Sequence, residues 1–169
     1  MWQRLLDFCK NGRVMIIAFV ATNFITFGVF KSLPHLDGLL IDLQFSYDKA
    51  EVLAILTSIG EAGRASYVWG NLIDNVYPFA YGIFFIGFLY RFFPANKGAL
   101  LALVPLALAI IDIFETAQIG VMVRNFPDIG ETQAMVSSLF TSTKTVLKYA
   151  SLLLVLVAGI NAVRLKIRG

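Results

Sequence analysis

The chain has 169 residues, 58% hydrophobic and 15% charged, with a mean hydropathy of +0.75 and a formal net charge of +3. A soluble domain is usually about 45–50% apolar and about 25% charged, so both departures point to a polytopic membrane protein. One cysteine, Cys9, excludes an internal disulfide, a CxxC pair and a cysteine zinc site. One histidine, His35, argues against a histidine metal site, and no basic cluster interleaved with aromatics points to nucleic acid.

Residues 1–13 are short, amphiphilic and basic. Val14 to Phe30 carries no charge over about 17 residues, near the lower limit for a spanning helix. A signal peptide is the rival reading, but Phe30-Lys31-Ser32-Leu33-Pro34 lacks a small-x-small cleavage pattern, so an uncleaved first span is expected. Residues 31–47 read as a connecting loop holding Lys31, Pro34, His35, Asp37, Gly38 and Asp42. Asp48 with Glu51 three residues later has the form of a capping box. Val52, Leu53, Leu56 and Ile59 follow at helical spacing, in a stretch too polar to span, so a short surface helix is expected, ended by Gly60 and Gly63.

The second span is expected over about 65–90, kinked at Pro78, with Tyr67, Asn71, Asp74 and Tyr81 on one polar face. Tyr77 and Asn75 are further neutral hydrogen-bonders beside it. The Phe-rich run from Phe79 to Phe93 reads as packing and lipid contact. The third span is expected over about 98–123, with Pro105 in its first half and Asp112 and Glu115 near its middle. Residues 128–140 read as a second surface helix, capped by Asp128 with Glu131 three residues on. The fourth span follows over about 141–163, with Thr141, Lys144, Lys148 and Ser151 on one face. The whole is a single all-α membrane domain over 1–169: a four-transmembrane-helix bundle with two short surface helices on its outer side.

Basic residues gather at the N-terminus (Arg4, Lys10, Arg13), in the turn after the second span (Arg91, Lys97) and at the C-terminus (Arg164, Lys166, Arg168). The positive-inside rule therefore puts both termini in the cytoplasm, in a multi-pass protein of the inner membrane. The loop 31–64 and the helix 128–140 then lie outside. Asp112 falls about 14 residues, roughly 21 Å, into the third span. Asp74, Glu115, Lys144 and Lys148 share its depth range, and Arg64 sits at the outer mouth. These groups balance, three cations against three carboxylates.

Ionisable groups in a bilayer are costly and are functional-site candidates by default. The bland alternative is an ion-pair and hydrogen-bond network that fixes helix order. The functional reading is a polar pocket in the outer half of the bundle, formed by Arg64, Tyr67, Asn71, Asp74, Tyr77, Tyr81, Asp112, Glu115, Lys144 and Lys148. It would bind a small amphiphile or lipid headgroup, or a membrane-protein partner to which the chain is an accessory subunit. Asp112 and Glu115 are also candidate catalytic residues, as an acid–base pair acting on a lipid or isoprenoid. A third reading is an ion- or proton-coupled transporter, for which so small a chain would need a homo-oligomer. Carboxylates without histidine suit a hard cation, yet interleaved lysines argue against a metal site. No motif calls for a cofactor. His35 reads as a loop residue, Cys9 as a spectator, and Gly60-x-x-Gly63 as a helix terminus more readily than a phosphate loop.

The series Tyr47-Asp48, Gly60-Glu61-Ala62-Gly63-Arg64, Tyr67, Asp74, Tyr77-Pro78, Tyr81, Asp112, Glu115 and Thr143-Lys144 resembles small bacterial four-span integral membrane proteins. The resemblance covers most of the chain from residue 34 on. It implies the four-span fold and assigns no residue a role.

Overall fold

The structure, a computed structural model, describes residues 1–34 and 40–168; His35, Asp37 and Gly38 of the connecting loop lie outside them. All regular elements among the described residues are helical, and four stretches are long and apolar enough to cross a membrane: Gly12–Ser32, Gly60–Phe92, Ala95–Asn125 and Glu131–Arg164. They pack as a bundle, with the third stretch lying against both the second and the fourth.

The N-terminal residues form a helix that composition alone did not announce. Helix α1 (Trp2–Cys9) buries Leu6 and Cys9 against Ile86, Tyr90 and Ala102. Gly87 makes this possible, because a Cβ there would run into the carbonyl of Cys9. Gln3 donates to the Tyr90 hydroxyl at 2.6 Å, and Arg91 donates to the Lys10 carbonyl at 3.1 Å.

Span 1 starts as α2 (Gly12–Asn23), where the Asn11 side chain accepts from the Arg13 N–H. It continues as a wide π-helical segment, Phe24–Val29, and a tight 3₁₀ turn, Phe30–Ser32. Thr22 and Thr26 donate back to the carbonyls of Ala18 and Thr22, both at 2.8 Å, which satisfies their hydroxyls inside an apolar helix.

Helix α3 (Lys49–Ser58) has the expected capping box, Asp48 and Glu51 each accepting the other's backbone N–H at 2.9 Å. It is not isolated on the surface: Val52 and Leu56 are fully buried against Ile119, Met122 and Val123. Gly60, at φ 64°, ends it in a conformation that side chains resist. Gly63 does not end it. That residue is buried within α4 (Gly60–Asp74), which begins five residues earlier than expected for span 2.

Span 2 breaks at Asn75 and Val76 and resumes as α5 (Tyr77–Phe92). Pro78 lacks an N–H for the Asp74 carbonyl and its ring would clash there, so the interruption falls just before the proline. Span 3 repeats the device. Helix α6 (Ala95–Leu101) is offset from α7 (Leu103–Asn125) at Ala102, three residues before Pro105.

The expected surface helix at 128–140 is not separate from span 4. Helix α8 runs unbroken from Glu131 to Arg168, because neither proline nor glycine interrupts residues 131–158. Asp128 is not its cap: Gly130 supplies the carbonyl for the Ala134 N–H, and the helix begins after it. The polar first turns of α8 lie beside α3 instead. Between them the loop after span 1 folds back into the bundle, burying Ile41 and Tyr47.

Candidate functional site

Helix α7 is the axis of the site. Asp112, Glu115 and Thr116 recur at three- and four-residue spacing, so they share one face. That face is inward: Asp112 is 4% exposed, Glu115 0% and Thr116 1%. Lys144 of α8 meets them there. Its Nζ lies 2.9 Å from Asp112 Oδ1 and is also paired with Glu115 Oε2. Glu115 Oε1 is buried without a hydrogen-bond partner within bonding geometry among the described residues.

Helices α4, α5 and α7 supply neutral donors. Tyr81 donates to Asp112 Oδ2 at 2.7 Å, and Thr116 donates to Asp74 Oδ2 at 2.9 Å. Asn71 does not reach a carboxylate; its amide donates to the Thr116 carbonyl at 2.9 Å. Tyr77 shares a 2.9 Å hydrogen bond with Thr26 of the π-helical segment, joining spans 1 and 2. Its ring lies 5.1 Å from that of Tyr81 and 5.5 Å from that of Phe30, both edge-on. Asn75 is spent locally, donating to the Asn71 carbonyl at 2.8 Å.

The folded-back loop adds residues that its sequence did not single out. Tyr67 donates to Asp42 Oδ1 at 2.7 Å and accepts from the Ile41 N–H at 3.0 Å. Tyr47 shares its hydroxyl with Ser137 at 2.7 Å and Thr141 at 3.0 Å, and its backbone N–H donates to Ser138. Of these residues the sequence marks Thr141, on the polar face of span 4, and Tyr47, in the series that carries the resemblance.

Arg64 leaves the cluster assigned to it. Its guanidinium donates to the Leu56 carbonyl at 2.9 Å and lies 4.5 Å above the Phe126 ring, tying α3 and α4 to the end of α7. The balance of three cations against three carboxylates is therefore replaced. Asp42, Asp74, Asp112 and Glu115 face Lys144, while Lys148 stands exposed, its ammonium 5.4 Å from the Tyr149 ring.

A cavity of about 410 Å³ opens between span 1 and span 4. Asp42, Asp74, Asp112, Lys144, Tyr77 and Tyr81 line its polar end. Phe30, Leu43, Phe85, Leu108 and Leu152 form the apolar remainder, and Lys148 stands at its edge. A second cavity of about 370 Å³ adjoins it under the loop, sharing Thr26, Phe30, Asp42, Leu43 and Asp74 and adding Tyr67 and Asn71. Among the described residues no three His, Cys, Asp or Glu side chains are grouped to hold a metal ion.

No family model, curated protein or solved structure matches this chain. The site's chemistry is the available guide. It combines fixed charges, hydroxyl donors and an apolar wall, which suits holding a molecule with one polar end.

Proposed function

We propose that the chain is a membrane-embedded binding protein whose cavity takes a small amphiphile from the bilayer. The polar head lies at the end of the cavity bordered by Asp42, Asp74 and Asp112, and the apolar part lies along Phe85, Leu108 and Leu152. The observation that carries this reading is the two-ended cavity between spans 1 and 4. Span 1 leans chiefly on α5, which leaves its flank toward α8 for the opening. Ligand sites are commonly concave and mostly apolar with a few convergent polar groups, as here.

The basic residues at both termini and in the turn after span 2 support an orientation with the termini in the cytoplasm and the loop end of the bundle outside. The inner membrane is the location that goes with it. An acid–base role for Asp112 and Glu115 has less support, because Lys144 engages both carboxylates.

Native mass spectrometry of the protein extracted from its own membranes tests the reading. Wild type should carry a bound small amphiphile, and Leu152→Trp, which fills the cavity edge, should lose it. Equal loading of both proteins would reject the cavity as the binding site.

A further inference from the structure

The charges around the cavity are unequal. Lys144 is engaged by two carboxylates, and Lys148 stands exposed at the rim beside Tyr149. Asp42 and Asp74 line both cavities, yet their side-chain hydrogen bonds come from neutral hydroxyls, Tyr67 and Thr116. Among the described residues neither has a cation within ion-pair distance. A carboxylate in a low-dielectric site with no cation at contact distance offers a place for one.

The walls favour the cation. Carboxylates alone would not define a site, but here they border the polar end of a cavity with an aromatic side, where Phe30, Tyr77 and Tyr81 stand in one edge-on series. Aromatic faces attract an ammonium group, the more so where water is excluded. An anionic head would find Lys144 already committed and would face three carboxylates.

We infer that the occupant is a cationic amphiphile, its ammonium head held at Asp74 and Asp42 beside the tyrosine wall and its chain along Phe85 and Leu152. The inference rests on the cavity reading above and names the class of head group it admits.

The test uses the full-length protein in an uncharged maltoside detergent. It is titrated with dodecylamine, dodecyltrimethylammonium, dodecanol and dodecyl phosphate, and binding is read by calorimetry and by the thermal midpoint. The two cations should bind at least about ten-fold more tightly than dodecanol, with dodecyl phosphate weakest. Asp74→Asn should weaken the cations about ten-fold and leave dodecanol unchanged. Asp42→Asn, on the loop rather than in a span, reads the same preference should Asp74→Asn fail to fold. Dodecanol or dodecyl phosphate binding as tightly as the cations would overturn the cationic head and leave the cavity reading standing. No binding by any of the four, with the fold intact, would overturn both.

Discussion

Lys144 of α8 holds its ammonium between Asp112 and Glu115 of α7, at a depth where all three side chains are buried. Removing one member of such a group strands a buried charge, whereas replacing every member with neutral groups need not be costly. Lys144→Met should therefore destabilise the protein by about 3–5 kcal/mol. Adding Asp112→Asn and Glu115→Gln to it should recover most of the loss. Unfolding in mixed detergent with rising SDS, followed by circular dichroism, measures both.

Tyr81→Phe removes the hydroxyl donor to Asp112 and keeps the ring against Tyr77. A hydrogen bond to a charged group contributes about 1.5–3 kcal/mol, so the same assay should register a loss of that order. Lys144→Met and Tyr81→Phe act on one carboxylate, so their effects should not add. Additive losses would show that the two contacts are independent.

The loop is pinned through Tyr47. Burial raises its phenol above the ordinary value of 10.0; hydrogen bonds from Ser137 and Thr141 oppose this, and the charges of Glu115 and Asp42 add to it. A phenol raised on folding contributes stability that is complete below the unfolded value and is lost as pH rises through the folded one. Tyr47→Phe should destabilise by about 1–3 kcal/mol at neutral pH, since it leaves buried hydroxyls with fewer partners. It should also flatten the fall in wild-type stability at high pH. Unfolding curves for both proteins across neutral and alkaline pH check the pair of outcomes.

Cys9 reports on α1. The thiol is fully buried, and burial pushes its pKa up to about 11, so it is neutral at physiological pH. A maleimide should leave the native protein unlabelled and react fully after SDS denaturation. Gly87→Val should displace α1 and expose the thiol to the reagent. Rapid labelling of the native wild type would mean that α1 is not docked as described.

Some of this was legible in the residues and some was not, for physical reasons. Asp48 and Glu51 announced a helix start because a capping box is local chemistry. The meeting of Lys144 with Asp112 and Glu115 could be anticipated because span length fixes depth and helical spacing fixes the face. Depth does not fix the direction of a long side chain, and Arg64 turned to Leu56 and Phe126 instead. Asp42 lay in a segment without periodicity, so its return to Tyr67 had no sequence signal. Asp128 and Glu131 imitated a helix start, yet nothing between residues 131 and 158 could separate a surface helix from a span.

The most direct measurement of the central claim is photo-crosslinking in membranes with a dodecylamine bearing a diazirine on its chain, followed by peptide mapping. Adducts are predicted at the cavity wall, on Phe30, Phe85 and Leu152, and should disappear with excess unlabelled dodecylamine. Adducts scattered over lipid-facing residues such as Leu139, Leu156 and Ile160, without competition, would contradict a binding site between spans 1 and 4.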